Sequence, residues 1–370
     1  TLLYTAGIGR TANDNIQFGG SPALTNNHSW NGTTMSTSIP LPQGRRSLGS
    51  TGANGTNTSS NNSLAIGGCA APGGTYYPTV SLFSCPQNVC STTPFQLGAW
   101  SGAAAMITGR SLIGSVGTQN AGLAFGGYCL PYVAPGLNLT EEYNGSSWSA
   151  GGALISLGYG ASSFGTQTAA VGAGSGGNGN NAEEYDGSTW ATANVINNGR
   201  NIGMGAGTQN AGIIWGGNTN VSNSSCTEEY DGTNWTNQNA LPFINTQAAG
   251  FGTQNAALSV GGRVGPASPN NCTLEYNGTS WSARAGSNLS SCGLFGVGTS
   301  TSGIIFGGHS GLNRTEEYNG ASWSIAGTLS LGRDNLGGSG TTNSGLAFGG
   351  CIAPGQTAAT EEYNYGDFCV

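Results

Sequence analysis

Two adjacent carboxylates beside a tyrosine and a tryptophan are the first chemistry this sequence offers. Residues 140–148 read T-E-E-Y-N-G-S-S-W, so Glu141 and Glu142 stand next to Tyr143 and close to Trp148. Paired carboxylates can divide general-acid and general-base roles, hold a cation, or frame a sugar against an aromatic ring. All eleven Glu residues of the 370-residue chain, however, fall in copies of this one motif. A catalytic pair needs a single environment that drives two pKa values apart. Carboxylates that recur in every repeat are expected to solve a problem that every repeat has. Strand alternation puts Glu141 and Tyr143 on one face and Glu142 on the other. One Glu per repeat is expected to pair with an Arg ahead of a first strand, such as Arg110, Arg200 or Arg333, leaving the other to solvent.

Other chemistry is thinly represented. The two histidines, His28 and His309, have no plausible metal-ligating neighbour in sequence, and no C-x-x-C pair suggests zinc. Gly172, Gly174 and Gly177 match G-x-G-x-x-G, but chance supplies such a match in a Gly-rich chain and no helix follows to receive a phosphate. The turn D-G-x-x-W (Asp186, Gly187, Trp190) is one residue tighter than the D-x-G-x-x-W spacing of sialidase Asp-boxes. No nucleophile elbow is found. The reading is a non-enzyme without cofactor or metal.

Composition narrows the partners. The nine basic residues are all Arg and the net charge is −7, so no basic patch exists to neutralise phosphates and nucleic acid is an unfavourable partner. No apolar run approaches the length that spans a bilayer. An Asn/Ser/Thr-rich surface with 7% charged residues suits an extracellular or particle-bound protein. Of nine cysteines, Cys85 and Cys90 form the one close pair and a candidate disulfide. Cys226 and Cys272 are the most symmetrical pair for a cross-repeat bond.

The elements that must position these residues repeat. Trp148, Trp190, Trp235, Trp281, Trp323 and Phe368 are 42, 45, 46, 42 and 45 residues apart. Tyr143, Tyr185, Tyr230, Tyr276 and Tyr318 keep the same beat, as does a second marker, G-T-Q-N-A-G-L-A-F-G-G at 117–127. Trp30 and Trp100 look like decayed copies. Each unit reads as four short strands, the third and fourth joined at N-G or D-G, a hairpin signal whose central residues need φ > 0. Helix is not expected. Four-stranded units of this length describe an all-β propeller. Eight Gly-Gly markers give eight antiparallel blades, with seven as the alternative. The units are 1–43, 44–108, 109–156, 157–198, 199–241, 242–289, 290–329 and 330–370, in a single domain. The first residues, T-L-L-Y, are expected to close the ring. The largest insertion, 69–92, carries Tyr76 and Tyr77; with Tyr128 and Tyr132 they form a candidate recognition loop.

A di-glycine closing the second strand, then Tyr, then Trp after a turn, with an Arg before the first strand, resembles the kelch repeat. The wording of G-T-Q-N-A-G-L-A-F-G-G and T-E-E-Y-N-G-S-S-W is similar to kelch-like proteins of bacteriophages, marine ones in particular. That resemblance implies a virion-surface or tail-fibre component, structural or host-attaching. Its partners would be other virion or surface proteins, or a host-surface glycan or receptor, and an oligomer is compatible with it. The alternatives are a multivalent carbohydrate-binding propeller with a Trp/Glu pocket between blades, an extracellular filament protein, and, less favoured, a galactose-oxidase-like secreted enzyme.

Overall fold

A computed structural model gives side chains for residues 98–365, except 130–135, 157, 177–178, 220–221, 266–267 and 353–354; before residue 98 only strand backbones are described. The chain divides into two compact units, 1–94 with 368–370, and 95–367. In the first, Ala6–Gly9, Asn15–Phe18, Asn27–Trp30 and Met35–Ser38 form a four-stranded antiparallel meander, and Gly49–Thr51, Leu64–Ile66 and Val80–Leu82 a three-stranded one.

The second unit is a propeller of six four-stranded antiparallel blades. Their innermost strands are Gly114–Thr118, Ser162–Thr166, Met204–Thr208, Ala249–Thr253, Leu294–Thr299 and Gly337–Thr341, which define blades 1 to 6. Each innermost strand packs on the next, and that of blade 6 returns to that of blade 1. The expectation of eight blades, or seven, is therefore corrected to six. The miscount has a physical origin. Trp100 is not the relic of a separate blade, because Gly98–Ala103 is the outermost strand of blade 6. It pairs antiparallel with Thr360–Tyr365, setting Trp100 opposite Tyr363 as Trp148 stands opposite Tyr143. Closure thus falls to residues just before blade 1 and not to the T-L-L-Y segment, which lies outside the described residues. No helix occurs among the described residues.

The core is distributed. Six apolar clusters are found, one in each seam between neighbouring blades. In the seam between blades 1 and 2, for example, Val116, Leu123 and Phe125 meet Ala170, Tyr185 and Trp190. Within a blade the Tyr and Trp are a cross-strand pair, with ring centroids 4.6–5.1 Å apart. Such pairs contribute about 0.5–1.5 kcal/mol beyond the area they bury.

The link between third and fourth strands differs from the two-residue turn expected at N-G. Tyr143 pairs with Trp148, which leaves four residues, 144–147, in the loop. Only Gly145 takes positive φ, at 88°. Asn144 instead folds its side chain inward, and its Oδ1 accepts the Ser146 and Ser147 backbone N–H groups at 3.0 and 2.9 Å. Asp186 and Asp231 make the same turn in blades 2 and 3. The backbone and side-chain donors around Asp186 hold its carboxyl down to about 2.

Candidate recognition surface at the axial mouth

The opening motif is consumed by the scaffold, residue by residue. Glu141 is 2% exposed and pairs with Arg110, which is 0% exposed and also donates to the Gly126 carbonyl. Arg200–Glu228 and Arg333–Glu361 repeat the pair in blades 3 and 6. Burial depresses these guanidinium pKa values and the partner carboxylates oppose the shift. In blade 4 both partners change together: Asn245 stands in the Arg place and Leu274 in the Glu place, and Asn245 Nδ2 donates to Gly261 O at 2.9 Å. Blade 2 keeps Glu183 without an Arg, and the carboxylate accepts the Ile155 and Ser156 N–H groups and the Ser156 hydroxyl.

The second Glu was expected to meet solvent. It faces the following blade instead and accepts from that blade's tyrosine. Tyr143 donates to Glu362 at 2.7 Å, Tyr185 to Glu142, Tyr230 to Glu184 at 2.7 Å, Tyr276 to Glu229 at 2.9 Å, and Tyr363 to Glu317. Burial, then the carboxylate, raises these hydroxyls, that of Tyr185 to about 12. The Trp Nε1 groups also reach back one blade, to the Thr that opens the motif: Trp148 to Thr360, Trp190 to Thr140, Trp281 to Thr227, Trp323 to Thr273 and Trp100 to Thr315, at 2.8–3.1 Å. Ala182 replaces that Thr in blade 2, and Trp235 turns to the Asn194 carbonyl at 2.8 Å. The Gln of G-T-Q-N-A adds a third clasp; Gln167 Nε2, for instance, donates to Gly122 O and Tyr143 O.

A second set of residues gathers at one end of the axis. Leu112, Gly160, Ile202, Gln247, Gly293 and Asn335 each precede an innermost strand, and all have positive φ, 49–69°. Each donates its N–H to the carbonyl of its counterpart in the preceding blade, and Leu112 to that of Asn335, closing a circuit of six hydrogen bonds of 2.6–3.4 Å. Gln247 Nε2 reaches over Gly293 to Asn335 Oδ1 at 3.1 Å. Beneath lies an axial cavity of about 220 Å³ that all six innermost strands line; its walls are Gly, Ala, Ser and apolar side chains with the amides Gln247 and Asn335, and no charged residue.

At three places around this mouth, the residue after a Gly-Gly meets the residue that precedes the circuit in the next blade. Tyr128 packs edge-on against Tyr159, ring centroids 5.7 Å apart. Arg263 Nε donates to Cys292 Sγ at 3.0 Å. His309 Nδ1 lies 3.6 Å from Asp334 Oδ2, with the two side chains 51% and 17% exposed. Burial raises the Asp334 carboxyl, opposed first by His309 and last by Arg263, and it raises the Cys351 thiol beside it. One side of the mouth is aromatic and the other ionisable.

Among the predicted site residues, Tyr128 stands at this mouth. Tyr76, Tyr77, Tyr132, Cys85 and Cys90 lie outside the described residues. Cys226 and Cys272 are both free thiols, so the symmetrical disulfide between them does not form. His309 has a carboxylate neighbour that sequence proximity did not reveal. Tyr159, Arg263 and Asp334 escaped the sequence reading altogether. The signal was available: each occupies a fixed step from a repeated glycine or Arg marker, where neighbouring repeats carry different residues. Cys292 is 1% exposed, closed off from a substrate in solution. Among the described residues no group of three or more His, Cys, Asp and Glu is placed to hold a metal.

No family model matches the chain, and no curated protein does either. Solved structures do match, among them that of YjhT, which aligns with a TM-score of 0.58 at 13% identity over 70% of this chain and 95% of that one. What this chain has in common with YjhT is the fold, a kelch-like β-propeller.

Proposed function

We propose that the protein is a non-enzymatic recognition scaffold at an extracellular surface, with the axial mouth as its binding face. The observation that carries this reading is the fate of the carboxylates. The first glutamates are engaged by Arg or backbone donors and most second glutamates by the next blade's tyrosine, while the residues around the mouth differ from blade to blade. A rigid frame with variable residues at one end is the arrangement binding proteins use. The wording of the repeats, similar to bacteriophage kelch-like proteins, supports a virion surface or tail fibre as the location and a host-surface glycan or receptor as the partner.

The inter-blade sugar pocket draws no support from the geometry, because Trp148, Trp190, Trp235 and Trp323 are 6–8% exposed and committed to the seams. The test is binding of the labelled protein to intact cells and to a glycan array, with an R263A/H309A variant. The expected result is saturable binding that the double variant loses while its thermal unfolding is unchanged. Several equivalent sugar sites per chain, unaffected by that variant, would move the function to the seams. Turnover of a sugar substrate would overturn the non-enzymatic reading.

A further inference from the structure

Blades are clasped by three devices: the hairpin Gln to two carbonyls of the preceding blade, the Tyr hydroxyl to its second Glu, and the Trp Nε1 to its Thr. The seams 6/1, 1/2 and 3/4 carry all three, and seam 2/3 carries them with the Asn194 carbonyl in place of Thr. Seam 4/5 keeps one. Ser300 occupies the Gln position there, and Tyr318 donates to Gly320 O of its own loop at 3.0 Å. Glu275, the carboxylate Tyr318 would have used, pairs with Arg284, an exposed partner on the outermost strand of blade 4. Only Trp323 to Thr273, at 3.0 Å, remains. Seam 5/6 also lacks the Gln, with Thr342 in its place, and retains the Tyr363 and Trp100 clasps plus Ser302 to Thr342 at 3.0 Å.

We infer that blade 5 is a hinged blade. It opens from blade 4 at the hairpin end while the hydrogen-bond circuit at the mouth, where Gly293 N–H meets Gln247 O at 2.8 Å, serves as the hinge. Opening parts Phe251 from Tyr318 and Trp323, which otherwise pack together in that seam. The strand where the chain closes the ring is not the weak point. Gly98–Ala103 is paired over its full length, and Trp100 is held by Phe306, Tyr363 and Thr315. Blade 5 carries Cys292 and His309, whose partners Arg263 and Asp334 belong to blades 4 and 6. A ligand that ties these groups together at the mouth therefore acts on the hinge, although the hinge itself does not depend on what the mouth binds.

Arg284 is the informative residue. Its counterpart in blade 3, Gln238, bonds Glu229 at 2.9 Å without taking that carboxylate from Tyr276. Native-state hydrogen exchange of the full chain tests the hinge. The hairpin amides of 299–302 are expected to exchange at least about tenfold faster than those of 118–121, 166–169, 208–211 and 253–256. Replacing Ser300→Gln together with Arg284→Gln copies the seam between blades 3 and 4, and is expected to slow exchange at 299–302 about tenfold, the effect of one to two net hydrogen bonds. The converse variant Gln119→Ser should speed exchange at 118–121 and leave blade 5 unchanged. Equal protection of all these hairpins, or fastest exchange at Gly98–Ala103, overturns the inference, as does a folded S300Q/R284Q protein with unchanged exchange.

Discussion

Arg110 and Glu141 show how much a single buried pair asks of its surroundings. The guanidinium is 0% exposed and satisfied by Glu141 and by the Thr108, Gly126 and Ala124 carbonyls. Removing one partner strands the other, so Arg110→Met should cost about 3–5 kcal/mol in chemical denaturation. Blade 4 supplies the control, since Asn245 and Leu274 occupy the same two places. The double variant R110N/E141L should therefore recover most of the loss. Trp215 makes a second residue-scale case. It is 0% exposed and its Nε1 has no hydrogen-bond partner, where Phe125, Phe306 and Phe348 stand in other blades. W215F is expected to cost less than W190F, which gives up the 2.9 Å bond to Thr140. A larger cost for W215F would refute this account. The sequence announced the repeated glutamates as structural, but could not assign the second Glu to the next blade's Tyr. That pairing runs 43–47 residues along the chain in blades 2 to 4 and 219 across the closure.

At the scale of the element, the strand order and the four-strand unit were readable because Gly-Gly, Tyr and Trp mark fixed steps of an alternating backbone. The loop after Tyr was misread because N-G is also the signature of a shorter turn, and only the cross-strand register distinguishes them. These elements carry opposite pH responses. The Asp186 carboxyl is held at about 2 in the folded turn, below its ordinary value near 4. Its contribution is present above about 4 and is lost as pH falls through about 2; Asp186→Asn should flatten that part of an acid titration while preserving the turn. The clasp tyrosines respond on the other side. Their folded pKa values are raised, that of Tyr185 to about 12, so their contribution is complete below about 10 and is lost as pH rises towards 12. Ultraviolet titration should show these residues ionising later than an exposed tyrosine, and Y185F should remove one of the delayed steps.

For the whole molecule, the repeat length pointed correctly to a propeller and the marker count did not give its blade number. Eight Trp-like positions were visible, yet Trp100 completes blade 6 and Trp30 belongs to the separate unit of 1–94. Which strand closes a ring is a long-range choice; here it joins Trp100 to Tyr363 across the whole propeller. A fragment spanning 95–367 contains every strand of the six blades and is expected to unfold cooperatively by itself. Starting it at residue 104 removes the outermost strand of blade 6 and exposes Tyr363 and Phe306. Circular dichroism should then show a clearly lower midpoint, and an equal midpoint would deny Gly98–Ala103 its closing role.

The circuit of six backbone hydrogen bonds at the mouth has an electrostatic corollary. Its bonds run head to tail around the axis, each from one blade back to the one before, so their dipoles circulate and largely cancel along the axis. A helix end offers an approaching ion a net partial charge; this ring offers almost none. The field over the mouth is left to the side chains; among the described residues there, Arg263, Asp334 and the ionisable His309 all belong to blades 4 to 6. A nearly six-fold scaffold thus presents a one-sided potential, and whatever settles on it meets a preferred orientation.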